Sequence, residues 1–224
     1  EAQGGAQAKK YRCTTEALAL ALSPKWKPFS SAKLGKPPAF LEPFVQQHTF
    51  RGRIVVGSPD PHGKFRARGS ELCAMELAML LGQYASFEYP LYYLDTEVQE
   101  KARREPLVVI GGPKVNMLTA ELNAHLPIRF DERTLELHST LSGRKYAENF
   151  GVIELVDNPF NRNSRVLVLA GSDHASTRVA VLALIKQRAK IEEGNTYDHS
   201  IIAKVVQGFD EDGDGIVDAV EILE

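Results

Sequence analysis

Asp210, Asp212, Asp214, Asp218 and Glu221 occupy positions 1, 3, 5, 9 and 12 of a twelve-residue stretch, D-E-D-G-D-G-I-V-D-A-V-E. Carboxylates at that spacing converge on one point if the chain turns around it. Calcium takes six to eight hard oxygens at about 2.3–2.6 Å, and a loop of this pattern supplies them. Asp210, Asp212 and Asp214 each offer one carboxylate oxygen. Gly215 at position 6 permits the sharp turn. Ile216 at position 7 offers its backbone carbonyl and is expected to plug its side chain into the core. Asp218 ligates directly or through water, and Glu221 closes the site with two oxygens. The plainer reading is a solvated acidic turn, which leaves Gly215 and Ile216 without a reason. The cofactor expected is therefore calcium, on an EF-hand-like loop. Only three residues follow Glu221. The second helix of a helix-loop-helix is not expected in this stretch, which favours a structural clip over a sensor that opens on binding.

A second group of polar residues lies beside glycine turns. Gly57 is followed by Asp60 and His62, Gly111 and Gly112 by Asn116, and Gly171 by Asp173 and His174. Each turn is expected at the C-terminal end of a strand and before a helix. Ligands bind there in open α/β sheets, and helix N-termini there hold anions. None of the turns is a GxGxxG or a P-loop. A grouping of Asp60, His62, Asp173 and His174 with Ser172 or Ser176 would be of hydrolase type, but no GxSxG elbow accompanies it. The alternative is that the glycines are tight turns required by the fold. On that view Asn116, Ser172, Asp173 and Ser176 are helix caps, and it is the preferred reading.

The elements that would carry these residues follow from apolar pattern. Ile54–Val56, Leu107–Ile110 and Val166–Ala170 are short β-branched strands, each leading through glycine into an amphipathic helix. The helices are expected from Ser70 through Gln83, from Asn116 to His125, and after Gly171 through Lys186. Leu72, Met75, Glu76, Met79 and Leu80 fall near helical spacing on the first. Further strands are expected at 90–94, within 128–138, and at 150–156, where DNPFNRNS ends the run in a turn. Strands with unbroken apolar runs, each followed by a helix, predict a Rossmann-like three-layer α/β sandwich with a mainly parallel sheet. That domain spans 50–190. Residues 1–49 read as a polar start, a helix at 14–22 capped by Thr14 or Thr15, and a Pro-rich extended segment pinned by Trp26, Phe29, Phe40 and Phe44. Residues 191–224 read as a linker, a short helix at Ile201–Val206 and the acidic loop.

Bulk composition bounds the rest. The chain has 224 residues, 43% of them hydrophobic and 25% charged, with a net charge of −2. The window 210–221 holds six acids and no base, and removing them leaves the remainder at +4. The acidity is local, as a cation site requires, and the positive remainder is too small to argue for nucleic acid. No apolar run approaches the roughly 20 residues of a transmembrane helix. Cys13 and Cys73 are too few for a disulfide scaffold and read as small buried residues.

Three stretches, GGPKVNMLTAELN, YAENFGVIELVDNPFNRNSRVLVLAGSDHASTRVAVLAL and KVVQGFDEDGDGIVDAVEILE, resemble the C-terminal region of archaeal S-layer proteins. The resemblance covers roughly 105–224 and keeps the order of the motifs. It departs at Ser176, where the family's AG turn often has glycine. It implies a non-enzymatic structural protein of the cell surface, outside the cell, whose partners are further copies of itself or other envelope proteins. Two other readings are a module or hydrolase that binds a nucleotide, sugar or other anion at the sheet edge, and a dockerin-like connector. A single acidic loop without a duplicate argues against the connector.

Overall fold

The computed structural model of the protein describes residues 34–147 and 149–224. The expected helix at 14–22, Cys13, Trp26 and Phe29 lie outside the described residues. Residues 35–224 form one unit.

The unit opens with a 3-10 turn at Ala39–Phe44 and a short hairpin, β1 (Val45–Gln46) and β2 (Thr49–Phe50). Next come β3 (Arg53–Val56), α1 (Ala74–Leu81), β4 (Ser86–Phe87) and β5 (Tyr92–Leu94). Then α2 (Glu100–Arg103), β6 (Leu107–Ile110) and α3 (Met117–Leu122) follow. β7 (Ile128–Phe130), β8 (Leu137–Ser139) and β9 (Lys145–Tyr146) make a separate antiparallel sheet. The long strands β10 (Phe150–Asn158) and β11 (Asn161–Gly171) precede α4 (His174–Lys186) and α5 (Arg188–Glu192). β12 (Ile202–Phe209) and β13 (Ala219–Ile222) complete the chain.

Seven strands form the main sheet in the order β13-β12-β10-β11-β6-β3-β5. β11, β6, β3 and β5 run parallel to one another. β10, β12 and β13 are all joined to their neighbours antiparallel. The sheet is therefore mixed, and the small sheets beside it are wholly or partly antiparallel. This overturns the Rossmann-like, mainly parallel sandwich expected above: the molecule is built largely of mixed and antiparallel sheets with few helices. The reason for the error is physical. A strand buried on both faces reads as a continuous apolar run whichever way its neighbours point. β10 is buried from Gly151 through Leu155, and β11 from Val166 through Gly171. The turn Asn158–Asn161 folds β10 directly onto β11 without a crossover helix.

The expected short helix at Ile201–Val206 is instead the start of β12, where Val205 and Val206 pair with Val152 and Gly151. A β-branched run, IIAKVV, favours a pleated strand over a helix. β13 then returns along β12, with Ala219 opposite Phe209 and Ile222 opposite Val206. The acidic loop is thus the tip of a β-hairpin.

Each face of the sheet carries its own core. Ile54, Val108, Ile110, Ile153, Leu167 and Leu169 pack under α1, α4 and α5. Val55, Val109, Val152, Val166 and Val168 pack on the other face with Leu118 and Leu122 of α3 and with Ile128, Phe130 and Leu137 of the small sheet. Each such fully buried aliphatic side chain contributes about 1.5–3 kcal/mol. α1 buries Leu77, Leu80 and Leu81 and leaves Met75 and Met79 63% and 77% exposed. Leu72, just before it, is 65% exposed. No helix among the described residues is long and apolar enough to cross a membrane.

Candidate functional site

Asp210, Asp212 and Asp218 come together at the hairpin tip, each placing one carboxylate oxygen within 4.8 Å of the others. The turn that gathers them is held by its own carboxylates. Asp210 accepts from the N–H of Gly213 (2.7 Å) and Gly215 (2.8 Å), Asp214 from that of Ile216 (2.8 Å), and Asp218 from that of Glu211 (3.2 Å). Gly213 and Gly215 have φ of +78° and +85°, a conformation that suits glycine. The Gly215 and Gly213 amides hold the Asp210 carboxyl below its ordinary range, so it is ionised and ready to ligate.

Two members of the sequence pattern are placed differently. Glu221 lies on β13 opposite Gln207 and, like Asp214, is not among the three converging acids. Ile216 does not plug into the core; it is 52% exposed. Val217 takes that role, packing with Val220 and Ile222 against the core. The register follows from the hairpin, because Asp218 N–H bonds to Phe209 O (3.1 Å) and turns the next side chains inward. α4 and its C-cap fasten the return arm. Arg178 donates to Val217 O (2.5 Å), Lys186 to Asp218 O, and Gln187 to Val220 O (2.6 Å).

The glycine turns sit together at the C-terminal ends of β3, β6 and β11. A Cβ on Gly112 would lie 1.9 Å from Gly171 O, one on Gly171 2.3 Å from Ser176 Cβ, and one on Gly57 2.3 Å from Val115 O. Backbone is close-packed at these three glycines. Asn116 is fully buried and satisfied: it accepts from Leu118 and Thr119 N–H and donates to Ile110 O (3.0 Å) and Val55 O (3.3 Å). Asp173 caps α4 by accepting from Ser176 N–H (2.8 Å). Asp60, Asp173 and His174 are exposed, and among the described residues no hydrogen bond joins the 173–174 pair to Asp60 or His62.

His62 has a partner that sequence reading missed. Its Nε2 bonds to Asp95 Oδ2 (2.7 Å) and its Nδ1 to Asp60 O (2.7 Å). Both partners are acceptors, an arrangement that favours the doubly protonated ring. Burial opposes that charge, but the Asp60 carbonyl and the Asp95 carboxylate outweigh it and raise the pKa above 6.5. The Asp95 side chain is fully buried and also accepts from Ser58 N–H (2.8 Å) and Met117 N–H (2.7 Å). It ties the ends of β3, β5 and α3 together. The available signal was an acid placed directly after the strand run LYYL.

Beside His62 a cleft of about 670 Å3 opens between the turn at 62–65, α3 and the small sheet. Phe65, Met117 and Phe130 line it, as do Lys64, Lys114, Arg129 and Lys145. Three acids line it as well: Asp131 accepts from Arg133 and Thr134 N–H, Glu132 lies 3.8 Å from Lys64, and Glu136 accepts from the Thr134 hydroxyl (3.3 Å).

Two buried carboxyls also escaped notice. Glu154, on β10, accepts from Ile128 N–H (2.8 Å) through one oxygen, while the other has no partner among the described residues. Burial pushes its pKa up to about 8. Glu224 accepts from Tyr146 (2.5 Å), Ser142 (2.7 Å), Ser139 (2.8 Å) and Asn195 (3.3 Å). Burial acts to raise its pKa, and these donors outweigh it and lower it. Cys73 is buried, its thiol pushed up to about 12 by burial.

The sequence pattern of the S-layer like family, outer domain, matches residues 66–188. An S-layer protein of Methanococcus voltae is 39% identical over 101 residues, which is 45% of this chain and 15% of that protein. An S-layer protein of Methanocaldococcus jannaschii is 31% identical over 123 residues, 55% of this chain and 19% of that protein. An uncharacterized protein of the same organism is 34% identical over 79 residues, 35% of this chain and 16% of that protein. The chain thus spans less than a fifth of the length of these curated relatives. With the family pattern covering more than half of its residues, the chain belongs to the S-layer like family, outer domain.

Proposed function

We propose that this chain is a structural part of an archaeal cell-surface layer and that its hairpin tip holds a calcium ion. The observation that carries the calcium reading is the convergence of Asp210, Asp212 and Asp218 on one point. The surface role is supported by family membership and by two relatives that are S-layer proteins. Hard carboxylate oxygens are the donors calcium prefers over softer ligands. Asp214 and the Ile216 carbonyl belong to the same tip and supply further oxygens, with Glu221 on the adjoining strand. The ion offsets mutual repulsion in a window of six acids and fixes the tip that α4 already grips. Self-association and contacts with other envelope proteins are the partners this role implies.

Calorimetric titration tests it. Calcium is expected to bind at one site per chain, and Asp212→Asn to weaken binding at least tenfold. Absence of heat and of any competition with a calcium dye would end the reading.

A further inference from the structure

We propose that the cleft beside His62 receives the acidic hairpin tip of a second copy of this chain. The inference deepens the surface-layer reading, on which it rests, by naming the surfaces that meet. Charge is the first argument. Among the described residues Lys114, Arg129 and Lys145 of the lining have no carboxylate within ion-pair distance, while the tip exposes Asp210, Glu211, Asp212 and Asp214. Opposite patches of this kind steer encounter and fix register. Calcium would leave the window of six acids still negative by four, so the attraction persists with the ion bound.

Shape chemistry is the second argument. Ile216 stands exposed within the acidic tip, and exposed Met117 lines the cleft together with Lys64 and Lys114. An apolar knob among acids matches apolar lining beside Lys114, Arg129 and Lys145, and the four bases of the lining outnumber its three acids, Asp131, Glu132 and Glu136, by one. Such buried apolar anchors with a polar rim are the usual anatomy of an interface.

The tip cannot reach the cleft of its own chain. The tip follows β12, and the cleft lies past the ends of β3 and β6. Between β12 and β3 stand β10, β11 and β6, a spacing of roughly 15–20 Å at the usual separation of strands. Arg178 and Lys186 hold the tip in place on its own side. Tip and cleft nonetheless share one end of the sheet. Gly151 at the start of β10 pairs with Val206 of β12 and with Gly171, and β11 ends alongside β6 and β3. Two copies facing end to end can therefore exchange tips, each closing the other's cleft.

Sedimentation velocity on the 224-residue chain, at fixed calcium and two salt concentrations, decides it. The wild type is expected to associate reversibly and more weakly at high salt. Glu211→Lys and Lys114→Glu should each weaken association about tenfold or more, and the chain carrying both should recover much of it. Ile216→Ser should weaken it without altering the salt response. Glu211 is not one of the calcium donors, so calcium binding measured on the same samples should persist, which separates this inference from the metal reading. A wild type that stays monomeric throughout, or association that neither charge reversal affects, would overturn it. So would single reversals that weaken association with no recovery in the double variant.

Discussion

Asp95 accepts from two backbone amides and bonds to the His62 ring at a point from which water is excluded. Asp95→Ala would strand the Ser58 and Met117 N–H groups and leave His62 without its counter-charge. That should cost about 3 kcal/mol or more in a denaturant melt. The pH response has a definite sign. His62 has a folded pKa above 6.5, so its contribution is complete below 6.5 and fades as pH rises through the raised value. The variant should lose that slope. Glu154 acts differently. Its folded pKa is about 8 against an ordinary 4.5, so folding keeps a proton that the unfolded chain releases. Stability is therefore lost as pH rises from about 4.5 to about 8. Glu154→Gln keeps the shape without the charge, and should raise the melting temperature at pH 8 while changing little at pH 4. Local spacing made the acidic tip readable at this scale, because its three converging acids lie within nine residues. The Asp95–His62 pair spans 33 residues, and no local pattern encodes such a meeting.

The elements at the sheet edge depend on close backbone approach. Gly112 and Gly171 end neighbouring strands so tightly that a methyl group on Gly112 would lie 1.9 Å from a carbonyl oxygen. Gly112→Ala should separate β6 from β11 and cost on the order of 3 kcal/mol, read by chemical denaturation. Strand positions at 54–56, 107–110 and 166–170 were legible from β-branched runs ended by glycine, and all three strands are present. Their neighbours' direction was not, since β10 and β12 are buried over most of their length like the parallel strands, and burial on both faces does not encode direction. The hairpin placement of the tip followed from the same ambiguity. Ile201–Val206 is rich in β-branched residues, which was the usable signal.

At the scale of the whole molecule, the proposed ion at the tip secures the last hairpin to the domain. β13 forms one edge of the main sheet and is gripped by Arg178, Lys186 and Gln187. A ligand that binds only this folded arrangement stabilises it by about 2.7 kcal/mol when present a hundredfold above its Kd. In a chain of this size that corresponds to a rise of roughly 2–4 °C per kcal/mol in melting temperature. The decisive measurement is differential scanning calorimetry of the wild type and of Asp210→Asn, each in excess calcium and in excess EDTA. Calcium should raise the wild-type transition by several degrees, and the variant should not respond. Identical wild-type transitions in calcium and EDTA would contradict the account.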